Sequence, residues 1–127
     1  MKAIHAALLL AAALSGCAHG AGGGAPSEPN RLTVEEMQGS EHQNALELIQ
    51  RKRPRWLNTK PVSVAIRSAT EVAVYLDGTH MGGPTTLRRI MTADVAEAEY
   101  LTAAEILSRS GLNHPAGAIL ITTRRDP

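Results

Sequence analysis

Few side chains in this sequence have the type and spacing that chemistry requires. Asp77 and His80 stand three residues apart, a spacing at which a carboxylate could hold an imidazole as a general base. No serine sits on a G-x-S-x-G elbow to receive such a base, so the pair reads as part of a surface turn and the chain as a non-enzyme. His42, His80 and His114 show neither H-x-x-x-H nor H-E-x-x-H spacing, so their order predicts no metal site; only folding could gather them. Gly82-Gly83-Pro84-Thr85-Thr86 lacks the glycine-lysine-hydroxyl ending of a phosphate-cradling loop, and Pro84 removes one backbone donor, which leaves turn chemistry. Cys17 is the single cysteine and has no partner for an internal disulfide.

The setting of Cys17 explains it better than thiol chemistry does. Lys2 precedes an uninterrupted apolar run of nine residues from Ala6 to Leu14, the length of a leader's hydrophobic core and too short to span a bilayer. Leu14-Ser15-Gly16-Cys17 then resembles the bacterial lipobox. That resemblance implies a signal peptide of residues 1–16, cleavage before Cys17, and covalent lipid on the cysteine as the only attached group. Each buried methylene contributes about 0.8 kcal/mol to membrane binding, so several acyl chains give permanent attachment. By the same resemblance Ala18, not being Asp, implies sorting to the outer membrane, with the domain facing the periplasm or the surface. Residues 17–30 hold the lipidated cysteine and a Gly-, Pro- and Ser-rich tether without apolar periodicity. Folding is expected over 31–127.

Composition bounds what the folded part can do. The chain has 127 residues, no Phe, one Trp and two Tyr, so its one small core must be aliphatic. Thirteen Lys and Arg face twelve Asp and Glu, and loss of Lys2 with the leader removes the excess, so bulk attraction to nucleic acid is not expected. The basic residues are uneven. Arg51, Lys52, Arg53, Arg55 and Lys60 crowd one stretch, where they read first as a solvated helix end and second as a contact for an acidic partner.

Local patterns supply the elements that must position these residues. Thr33-Val34-Glu35-Glu36 and Ser40-Glu41-His42-Gln43 each have the form of a capping box, predicting a helical turn and then a helix from about Glu41 to Lys52, stopped by Pro54. Val62 to Arg67 and Glu71 to Leu76 read as neighbouring strands, with Asp77-Gly78 as a turn. Met81-Gly82-Gly83-Pro84 reads as a break, after which Leu87, Ile90 and Met91 share the spacing of a short helix. Glu97 to Leu101 predicts a strand. Thr102-Ala103-Ala104-Glu105 opens a helix ending at Gly111, and Ala118 to Thr123 reads as a central strand covered on both faces. The expected fold class is α+β: a small mixed β-sheet packed with short helices.

The stretch from Val74 to Arg125 resembles the plug domain of TonB-dependent outer-membrane receptors. The residues that carry the likeness are Tyr75-Leu76-Asp77-Gly78, Leu87 with Ile90, the acidic segment Asp94 to Leu101, the helix from Ala104 to Gly111, and the closing Ala116-Gly117 strand. The resemblance implies a structural part for Asp77, Gly78, Gly111 and Gly117. No barrel strands follow before Pro127, so a transport channel is not expected. The function implied is that of a lipid-anchored, non-catalytic envelope protein docking on another outer-membrane or periplasmic protein, a β-barrel among the candidates. Arg51, Arg53, Arg55, Arg88 and Arg89 are its candidate partner contacts. The alternative is a lipoprotein that binds a small ligand or metal chelate and delivers it to a receptor, turning the same arginines toward anionic groups.

Overall fold

The computed structural model describes residues 27–57 and 71–125. The leader, Cys17 and the expected strand Val62 to Arg67 lie outside the described residues. Among the described residues five strands form one sheet: β1 (Arg31–Leu32), β2 (Ala73–Leu76), β3 (Thr79–Gly82), β4 (Val95–Leu101) and β5 (Ala118–Thr123), in the order β1-β4-β5-β2-β3. The β5–β2 pair is parallel and the other three are antiparallel. Helices α1 (Val34–Met37), α2 (Ala45–Lys52) and α3 (Ala103–Ser110) accompany 3-10 turns at Pro54–Trp56, Pro84–Arg89 and Thr92–Asp94. This is the mixed sheet with short helices that the apolar patterns predict. No described helix is long and apolar enough to cross a membrane.

Strand β5 is central, as its continuous apolar run implies. Ile119 and Ile121 point into the larger core with Leu32, Leu48, Ile49, Val74 and Leu87, while Ala118 packs with Ala73, Leu101 and Ile106 on the opposite face. Alternation of side chains along a strand divides one run between two layers. The cores are aliphatic apart from Trp56, whose ring stacks on Tyr100 with centroids 6.0 Å apart.

The two clearest sequence signals give the two sharpest elements. Thr102 caps α3: its backbone N–H donates to Glu105 Oε2 at 2.8 Å, and its hydroxyl accepts from the Glu105 N–H at 3.4 Å. Gly111 ends the helix with φ 68°. Asp77 (φ 46°) and Gly78 (φ 84°) form the two-residue hairpin between β2 and β3, both in the left-handed region that a primed turn requires. The Asp77 carboxylate then stitches the hairpin to the end of β5, accepting from the Thr123 N–H at 2.9 Å and from its hydroxyl at 2.6 Å. These bonds, the hydroxyl one first, hold the Asp77 carboxyl below the usual range.

Three expectations are corrected. Helix α2 begins at Ala45, not Glu41, because Ala45 N–H donates to Ile90 O at 2.8 Å and Thr92 N–H to Gln43 O at 2.9 Å. These bonds hold residues 43–45 against 90–92 as a short extended pairing, so Asn44 rather than Ser40 caps the helix, accepting from Glu47 N–H at 3.0 Å. Met81 and Gly82 belong to β3 instead of a break, because the tight turn sends the chain straight back along β2. Met81 is the extra residue of a bulge between the Tyr75–His80 and Val74–Gly82 pairs. The expected short helix after Pro84 is a 3-10 turn, whose three-residue period buries Leu87 and Ile90 but leaves Met91 42% exposed.

Gly117 opens β5 at φ 81°, and a Cβ there would collide with the Leu101 carbonyl and the Tyr100 hydroxyl. Tyr100 can therefore reach across to donate to Ala116 O at 3.0 Å. Here glycine is required by close approach as well as by backbone angle.

Candidate functional site

The fold gathers residues that no sequence spacing links. The hairpin register sets His80 of β3 opposite Tyr75 of β2, and their ring centroids lie 5.0 Å apart. His114 comes from the loop between α3 and β5, where its carbonyl accepts the Gly117 N–H at 2.9 Å. Because β5 runs parallel beside β2, with Ala118 against Ala73, this loop arrives alongside the start of the β2–β3 hairpin. The Tyr75 hydroxyl lies 2.8 Å from His114 Nε2, and the His80 and His114 rings are 5.7 Å apart. Tyr75 and His114 are half-buried, while His80 is exposed.

Beside these rings lies a hollow of about 290 Å³ with Glu71, His80, Gly82, Gly83 and His114 in its wall. Glu71 is the one acidic residue among its described lining residues. A Cβ on Gly83 would come within 2.7 Å of Glu71 Oε2, so the missing side chain leaves the space that the carboxylate occupies. Two imidazoles and one carboxylate thus border one small, partly enclosed space. Asp77, the residue spaced to orient His80, spends both carboxylate oxygens on Thr123. Tyr75 is the group set against both imidazoles. His42 stands apart on the exposed turn before α2. Among the described residues no three His, Cys, Asp or Glu side chains converge in metal-binding geometry.

The arginines fall into two kinds. Arg53 is drawn inward: its Nη2 lies 2.6 Å from Glu36 Oε1, 2.9 Å from Ser27 Oγ, 3.0 Å from Arg31 O and 3.1 Å from Glu28 O, and its side chain is 13% exposed. Burial pushes the Glu36 carboxyl up, but bonds from Arg53, Ser27 and the Thr33 N–H, with the Arg53 charge, outweigh it and leave the carboxyl below its usual range. Trp56 completes this clamp by donating Nε1–H to Pro29 O at 3.0 Å. Arg53 therefore works inside the fold. Arg51, Arg55, Arg88 and Arg89 stay exposed; Arg51 and Arg55 flank the clamp, whereas Arg88 and Arg89 end the 3-10 turn that packs on α2.

Tyr75 and Glu71 are the site residues that sequence reasoning passes over, while His114 is one it names without a partner. One signal for Tyr75 is present: a two-residue turn at Asp77-Gly78 pairs Leu76 with Thr79 and therefore Tyr75 with His80. His114 carries no such signal, since it lies 39 residues from Tyr75 and meets it only through the parallel β2–β5 pairing. No protein-family model, curated protein or solved structure matches the chain, so its own sequence and geometry must carry the functional reading.

Proposed function

We propose that this protein is a lipid-anchored, non-catalytic envelope module, held at the outer membrane through Cys17, whose plug-like domain docks on another outer-membrane or periplasmic protein. The observation that carries the reading is the Leu14-Ser15-Gly16-Cys17 pattern after an apolar leader core, which points to a tethered domain. The docking part is supported by strand β3. Among the described residues it is the last strand of the sheet, and Thr79, His80 and Met81 on it are all exposed, Met81 by 42%. An edge strand offers backbone donors and acceptors to a partner, and an exposed methionine offers adaptable apolar contact.

Two measurements test this. Cys17→Ser should release the protein from the membrane fraction of cells and abolish labelling by a palmitate analogue; retention and labelling of the variant would refute the anchor. A photo-crosslinking residue at position 81 should trap one discrete envelope protein in intact cells, while the same residue at position 108, on the exposed side of α3, should not. Equal trapping from both positions, or none from 81, would refute docking through β3.

A further inference from the structure

The geometry points to a binding site for a divalent transition-metal ion between His80 and His114, with its remaining coordination positions open to solvent or to a small chelator. This stands apart from the docking reading, since it concerns what the hollow holds and not what the β3 edge pairs with.

The ring separation is the first support. A zinc–imidazole bond of about 2.0–2.1 Å, plus roughly 1.1 Å from ring nitrogen to ring centre, puts each centre about 3.2 Å from the ion. Two imidazoles on one ion therefore have centres at most about 6.4 Å apart. The observed 5.7 Å lies inside that limit, and the planes are inclined by only 32°. His80, being exposed on β3, turns about its side-chain bonds without displacing core atoms.

The second support is the way His114 is held. Metal-bound histidines characteristically donate their other ring N–H to an oxygen, which fixes the tautomer and the ring orientation. The Tyr75 hydroxyl, 2.8 Å from Nε2, is such an oxygen. In the tautomer with Nε2–H donating to Tyr75, Nδ1 keeps its lone pair for the ion. Tyr75 is then a positioning residue.

Charge chooses the class of ligand. The hollow's wall carries two imidazoles and the Glu71 carboxylate, with no Lys or Arg among its described lining residues, so it favours a cation. Imidazole donors select zinc, copper or nickel over the oxygen-seeking magnesium and calcium. With two imidazoles in place and Glu71 in the same wall, the site has the open coordination of an ion that is carried or shared.

Calorimetry of the detergent-solubilised full chain with zinc(II) should show one binding event per chain. Relative to the unaltered protein, His80→Ala and His114→Ala should each weaken it by about a hundredfold and Tyr75→Phe by about tenfold. Copper(II) should show spin-resonance splitting from two imidazole nitrogens, reduced to one in His80→Ala. Because His80 is exposed, that variant keeps the fold, to be checked by circular dichroism, and supplies the decisive readout even if His114→Ala fails to fold. No binding heat, or equal zinc affinity in folded His80→Ala, would overturn the proposal. Magnesium binding as tight as zinc binding would overturn its ligand class.

Discussion

Two hollows of about the same volume, close to 290 Å³ each, lie against opposite edges of the sheet, and they are built on different chemistry. The one beside β1 is walled by Arg53, Trp56, Pro29 and their neighbours, and its buried cation is turned inward onto the chain's own oxygens, although Arg53 Nε itself stays without a partner. Arg53 alone is within reach of a carboxylate, a hydroxyl and two carbonyls, and Trp56 bonds a third carbonyl. The one beside β3 holds His80, His114 and Glu71, and among the described residues the one side-chain bond these three make is that of His114 Nε2 with Tyr75. Equal volume therefore says little about use. Saturated polar groups stabilise a fold, whereas accessible unsaturated ones can take up something from outside.

Substitution should separate the two regions, and the largest effect belongs at Arg53. Arg53→Ala leaves the partly buried Glu36 carboxylate without its cation and strips the carbonyls of residues 28 and 31 of a donor. We expect a loss of about 2–4 kcal/mol, below the full cost of breaking a wholly buried pair, read as a shift of the urea midpoint. A loss under about 1 kcal/mol would erase the contrast between the two hollows.

Acid should produce the next effect, and at the same end of the molecule. The folded-state Glu36 carboxyl lies below its ordinary value, so its contribution is fully present above that value and is lost as pH falls through the folded one. Stability should decline below about pH 4, and Glu36→Gln should flatten that decline while lowering stability at neutral pH. An acid profile identical in the variant would show that other carboxylates set it.

The smallest effect should come from His80. Removing an exposed ring that only leans on Tyr75 across a strand pair should cost about 0.5 kcal/mol, measured by the same urea midpoint, even where zinc binding is lost. A cost above about 2 kcal/mol would make the ring cluster a structural device like the Arg53 clamp, and would sharpen the comparison by reversing one side of it.

What the sequence discloses follows from how far apart the interacting residues are. The Thr102 box with Gly111, the Asp77-Gly78 turn and the central strand from Ala118 are readable because their causes lie within a few residues. Ser40 misleads because the true start of α2 is set by residues 90–92, a partner remote in the chain. Arg53 reads as a solvated cation at a helix end, since nothing local shows that residues 27–31 fold back over it. The histidine site is hidden for the same reason: its halves meet only through the parallel pairing of β2 with β5, which no local pattern announces.

The clamp at Arg53 and Trp56 also has a mechanical meaning. Strand β1 is only two residues long, and alone it would peel from β4 like a zipper under a pull on the chain ahead of it. A pull on Ser27 instead meets the Arg53 Nη2 group, whose two hydrogens are shared among Ser27, Glu36 and the carbonyls of Glu28 and Arg31, together with the Trp56 bond to Pro29. Bonds stretched in parallel yield at a higher force than bonds opened in turn. The entry of the chain into the fold is thus braced, and a pull from residue 27 meets these contacts before it reaches the sheet.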